Sequence, residues 1–171
     1  LVGSEMCIRD RISGDLTEIR KSLERVDVDI RSTSGQTALM YAAASGKTSA
    51  VRELLSHRAN IFIQDSVGST ALTLAAEEGH DKIVRLLLRA NANIDHQNKK
   101  GDTALHIATA NGYANVVEIL QAHGAKHCSN AKGRFPLHLA AFLGHSELIE
   151  SLAANCSINE RSQDRYKVTA L

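Results

Sequence analysis

One block of residues returns along this chain at a nearly fixed interval. Gly35-Gln36-Thr37-Ala38-Leu39 recurs as Gly68-Ser69-Thr70-Ala71-Leu72, as Gly101-Asp102-Thr103-Ala104-Leu105 and as Gly133-Arg134-Phe135-Pro136-Leu137, at spacings of 33, 33 and 32 residues. A period in this range marks a stacked repeat architecture, in which each unit is too small to bury its own apolar face and does so against its neighbours. Such a stack presents an extended surface and has no built-in pocket for chemistry.

The composition points to helices. Of the residues, 43% are hydrophobic but only 4% aromatic, with no Trp and one Pro, so the apolar mass is Ala, Leu, Ile and Val. That favours helices packed closely through small side chains over a strand-rich sandwich. Thr37, Thr70 and Thr103 each precede a short apolar run, over residues 38–44, 71–76 and 104–110. A threonine there predicts an N-cap, its oxygen accepting an orphan amide of the first turn. The runs end at Gly46, Gly79, Gly112 and Gly144, and glycine suits the left-handed residue that stops a helix. A second helix follows each glycine. Ile83, Val84, Leu86, Leu87 and Leu88 in one period, and Val116, Val117, Ile119 and Leu120 in the next, fall on one broad face. A short extended stretch such as Ala92-Asn93-Ile94-Asp95 closes the unit.

These residues resemble the ankyrin repeat. Leu105-His106-Ile107-Ala108 and Pro136-Leu137-His138-Leu139-Ala140-Ala141 are similar to its T-P-L-H-x-A-A motif. Gly79-His80 and Gly144-His145 are similar to its inter-helix turn, and His123-Gly124-Ala125 and Asn91-Ala92-Asn93-Ile94 to its loop before the hairpin. The resemblance implies an all-α solenoid of stacked helix-turn-helix units with hairpin loops. The expected division is a partial repeat over 12–33, full repeats over 34–66, 67–99, 100–131 and 132–165, and the start of another over 166–171. There are departures. Ala38, Ala71 and Ala104 stand where the family prefers Pro. Phe135 replaces the capping Thr, a loss of about 1 kcal/mol if nothing substitutes. Arg58 stands where the family favours Gly, so a left-handed backbone there would be strained. The third full unit is one residue short, and the register around residues 152–164 is left open.

Both ends read as cut. Residues 14–23 read as the second helix of an earlier unit, with residues 26–29 as its loop, and the lack of a visible first helix should leave Leu16, Ile19 and Leu23 partly uncovered. Thr169-Ala170-Leu171 restarts the motif and stops. Residues 1–11 break the pattern and look like translated sequencing-adapter sequence, so they are expected to be a non-native leader.

Several function classes are disfavoured. A net charge of +1 gives no global field toward nucleic acid or an anionic membrane. No apolar run is long enough to span a bilayer, and no secretory segment opens the chain. Cys7, Cys128 and Cys156 are an odd, sparse set, which speaks against a disulfide framework and for a reducing compartment, the cytoplasm with the nucleus as alternative. No phosphate-cradling glycine motif and no HExxH occurs. His123, His127 and Cys128 lack the matching second pair a zinc site needs. For His80, His106, His138 and His145 the resemblance implies structural hydrogen bonds. The expectation is therefore no catalysis, no metal and no cofactor.

The resemblance further implies that partners touch the hairpin tips and the exposed ends of the first helices, along one concave side. Carried over position by position, the tips are Thr33, Ser34 and Gln36; Ser66, Val67 and Ser69; Lys99, Lys100 and Asp102; and Ala131, Lys132 and Arg134. The helix ends are Ala44-Ser45, Glu77-Glu78, Ala110-Asn111 and Phe142-Leu143. The candidate partner-binding set is Phe142, Leu143, Lys132, Arg134, Lys99, Lys100, Asp102, Glu77, Glu78 and Asn111. Phe142-Leu143 reads either as an interface hot spot or as a pair packed under a following unit. The basic group beside Glu77-Glu78 reads either as electrostatic selection of a partner or as a solvated rim. The leading function is a monomeric protein-interaction scaffold with an unidentified protein partner. The alternative is the recognition arm of a larger enzyme, channel or degradation adaptor. Nucleic-acid binding through the basic group is disfavoured, because no aromatic side chains interleave with it.

Overall fold

The computed structural model describes residues 27–154. The readings for the leader 1–11, the helix at 14–23 with Leu16, Ile19 and Leu23, Cys7, Cys156 and the restart at 166–171 lie outside these residues, as does most of the open register at 152–164.

Among the described residues, eight helices follow one another in pairs: α1 (Ala38–Ala44) and α2 (Thr48–Ser56), α3 (Ala71–Glu77) and α4 (Asp81–Arg89), α5 (Ala104–Ala110) and α6 (Ala114–Ala122), α7 (Pro136–Leu143) and α8 (Ser146–Ala154). Among the described residues there is no strand. The first helices of successive pairs pack in one row and the second helices in another, and the first row packs more extensively. The cause is side-chain size. Ala42, Ala43, Ala75, Ala76, Ala108 and Ala140 are wholly buried between first helices, and methyl side chains let those backbones approach. Val51 and Leu54, Ile83, Val84 and Leu87, and Val116, Val117 and Leu120 form the bulkier buried face of the second helices. The tighter row is the side that the family resemblance expects to be concave.

Threonine starts three of the first helices as the sequence predicts. Thr37, Thr70 and Thr103 each accept from the amide three residues on. Thr73 and His106 return the bond, Thr70 N–H donating to Thr73 Oγ1 at 2.8 Å and Thr103 N–H to His106 Nδ1 at 3.3 Å. Phe135 has no oxygen to offer. The return half survives there, with Phe135 N–H donating to His138 Nδ1 at 3.1 Å, and Pro136 in the first turn removes one of the orphan donors.

Neighbouring units interlock at both ends of the first helices. At one end, Gly112 has φ +73°, and a Cβ there would lie 2.8 Å from Cε1 of His145 in the next unit. The His145 Nε2–H donates to the Ala110 carbonyl at 3.1 Å, as His80 does to Ala44, so a helix-end carbonyl is satisfied by the neighbour. Tyr113 fills the same socket beside Gly79. At the other end the hairpin tips join edge to edge. Ser66 N–H donates to Ser34 O at 2.9 Å, Lys99 N–H to Val67 O at 3.1 Å and Ala131 N–H to Lys100 O at 3.1 Å. The last three tips are closed internally by their first residues: Asp65, Asn98 and Asn130 each accept two backbone amides through Oδ1.

Gly101 sits at such a joint with φ +76°, and a Cβ there would run into the backbone nitrogen of Ala131. Gly101→Ala is expected to cost about 2 kcal/mol or more, through left-handed strain and a parted tip, read as a lower urea midpoint. Arg58 does adopt the left-handed backbone, with φ +61°, where Asn91 (+65°) and Gly124 (+81°) stand in later units. Relieving that strain, about 1–2 kcal/mol, less the glycine entropy of about 0.5–1 kcal/mol, gives the expectation that Arg58→Gly stabilises the array by about 0.5–1 kcal/mol. A reduced urea midpoint would contradict it.

Candidate partner-binding cleft

The row of first helices and the tips of the last two described units enclose an open cleft of about 320 Å³. Its floor is Ile107, Ala110 and Leu139 from α5 and α7. One wall is the tips, with Lys100, Asp102, Asn130, Lys132 and Arg134, and the other is the helix ends, with Glu77 and Asn111. Local chemistry fixes these side chains. Asn130 Nδ2–H donates to Asp102 Oδ1 at 2.7 Å, tying two tips together through side chains. Asn111 Nδ2–H donates to the Glu77 carbonyl at 2.9 Å, so the opposite wall is tied as well. The Arg134 guanidinium lies over the Phe142 ring, 5.5 Å from its centroid, a cation–π contact that holds both at the cleft's edge.

Of the ten residues singled out from sequence, Glu77, Lys100, Asp102, Asn111, Lys132 and Arg134 line this one cleft, and Phe142 adjoins it through Arg134. Lys99, Glu78 and Leu143 do not line it. Phe142 is 75% exposed and Leu143 46%. Ser69, placed at a tip by the sequence, is buried. Lys100, Lys132, Arg134 and Glu77 form no ion pair among the described residues. Sequence reasoning missed Ile107, Leu139 and Asn130, which carry ordinary scaffold patterns and become surface only through the stacking. It also missed Phe62, 60% exposed. Its signal is register: Asp29 and Asp95 stand at the same distance before their tips and accept amides of the next loop, from Asn60 and Lys126, each at 2.8 Å.

His106 lies beneath the tip wall, fully buried. Its Nδ1 accepts from Thr103 N–H, so the proton is on Nε2, which donates to the Arg134 carbonyl at 3.0 Å. Burial holds the imidazole below its ordinary pKa, against the opposing pull of the Arg134 carbonyl and the Asp102 carboxylate. Burial also pushes the Cys128 thiol up, with Asp95 adding to it, which makes it a poor nucleophile. Among the described residues no group of three or more His, Cys, Asp or Glu is arranged to hold a metal, and no helix is long and apolar enough to cross a membrane.

A family model describing ankyrin repeats in three copies matches residues 7–98 and, overlapping, residues 87–162. The chain belongs to the ankyrin-repeat family. Comparison with curated proteins gives no match. Ankyrin repeats generally mediate protein–protein interaction, and the fold is typically a non-catalytic module. In this ankyrin array the tip carrying Arg134 hangs on a neutral imidazole, which has a consequence for pH. Below about 6.5 the unfolded chain takes up a proton at His106 that the folded chain refuses, so stability is full above that pH and falls as pH drops below it. His106→Thr, copying Thr73, should lose less stability than the parent between pH 7.5 and pH 5, measured by urea denaturation at both. An equal loss would remove His106 as the cause.

Proposed function

We propose that this ankyrin array is a protein-interaction scaffold, without catalytic activity of its own, that binds a partner protein in the concave cleft and along the adjoining tips. The observation that supports this reading most is the cleft itself. It combines an apolar floor, three cations and a carboxylate without ion-pair partners among the described residues, and an exposed aromatic at its edge. Exposed Phe and Arg side chains held in place by their neighbours are the kind of group that dominates interface energies. Cations at the rim affect encounter rate and partner choice more than the depth of binding.

The experiment is affinity capture with the whole chain, identification of the captured protein, and measurement of its dissociation constant with single variants. Phe142→Ala should weaken binding by about 1–2 kcal/mol, mainly through faster dissociation. Lys132→Glu should slow association and reduce its salt dependence. A partner whose binding is unchanged by both substitutions overturns the proposed face.

A further inference from the structure

We infer that the cleft takes an extended peptide segment with an acidic side chain next to, or one position removed from, an aliphatic or aromatic one. This rests on the concave-face reading above and adds the chemistry of the occupant. The positions flanking the tip glycine are uncharged in the first two described tips (Ser34 and Gln36, Val67 and Ser69) and charged in the last two (Lys100 and Asp102, Lys132 and Arg134). Three of those four charges are positive. The one carboxylate among them, Asp102, is engaged by Asn130 at 2.7 Å. The cations have no carboxylate within ion-pair reach among the described residues. A partner carboxylate supplies the counter-charge these cations lack.

The floor sets the second requirement. Ile107 and Leu139 are only half-buried and lie between the cationic wall and Glu77, so an apolar side chain entering there covers them. An extended chain advances about 3.3 Å per residue, so an acidic and an apolar residue one or two positions apart lie within about 7 Å of each other, close enough to reach the adjoining wall and floor together. The Glu77 carboxylate on the far wall repels a second negative charge in the cleft. A mixed segment is therefore favoured over a uniformly acidic one or a phosphate backbone.

The test is selection of random twelve-residue peptides displayed on phage against the whole chain. The strongest selected sequence is then synthesised with a fluorescein label and titrated by polarisation. The expected result is enrichment of Asp or Glu within two positions of Leu, Ile, Phe or Met. The labelled peptide should bind the parent, with at least tenfold weaker binding to Lys132→Glu at unchanged helical circular dichroism and a clear loss of affinity as salt rises. Selection of basic or uncharged peptides, no enrichment at all, or a labelled peptide indifferent to Lys132→Glu overturns the inference. A fluorescein-labelled single-stranded oligothymidylate that binds more tightly than the best peptide overturns it in favour of nucleic acid. None of these outcomes touches the broader reading, which fails only if a captured protein partner ignores both Phe142→Ala and Lys132→Glu.

Discussion

The helices of this protein cannot hold themselves. The first helices α1, α3 and α5 have seven residues each, far short of the 12–15 or so at which an isolated helix becomes even marginal in water. What makes them persist is the close approach of one first helix to the next across alanine. Ala42 and Ala43, Ala75 and Ala76, and Ala108 have no solvent exposure, in helices packed both on their own partner helix and on the first helices of neighbouring units. The sockets at the helix-end glycines and the joined tips depend on that approach. The sockets satisfy helix-end carbonyls and the tips satisfy loop amides, and both do so across units.

That dependence decides what could be read from the sequence. Caps, helix stops and left-handed positions are local, and Thr37, Thr70, Thr103, Gly112 and Arg58 each announce themselves by residue type and register. The substitute for the missing cap at Phe135 was not legible, because His138 is an ordinary motif residue whose return bond matters only when the cap oxygen is gone. The cleft was legible in part. Charges at Lys100, Lys132 and Arg134 stand out along the chain, but the floor of Ile107 and Leu139 exists only once α5 and α7 are laid side by side. The tie from Asn130 to Asp102 joins residues 28 apart in sequence, a distance that no local pattern spans.

The contacts that hold the array also shape the cleft. His106 both completes the capping box of α5 and suspends the Arg134 carbonyl, so the backbone that carries one cation is fixed by a core residue. Asp102 follows the tip glycine of one unit and is gripped by the tip of the next. Arg134 is steadied by Phe142. Side chains held this way lose little freedom on binding, which lowers the entropic cost of association. The arrangement also ties recognition to stability, since loosening a joint between units displaces a binding wall.

One loop runs against this economy. Residues 57–64 carry two departures from the pattern of their neighbours, an arginine at the left-handed position that Asn91 and Gly124 take in later units, and an exposed Phe62 where Asp29 and Asp95 accept an amide from the following loop. Phe62 cannot accept, so this joint lacks a side-chain link that flanking joints have, and its ring stays 60% exposed. Local rules broken without a structural return are where a protein serves something other than its own fold. By that criterion the Phe62 loop differs in kind from the cleft: the cleft is assembled from residues that also stabilise the array, whereas the Phe62 ring faces mostly solvent and Arg58 closes the end of α2, donating to the Leu55 carbonyl, only under left-handed strain. The two surfaces are thus distinguishable by their cost to the fold, and only the first is shared with it.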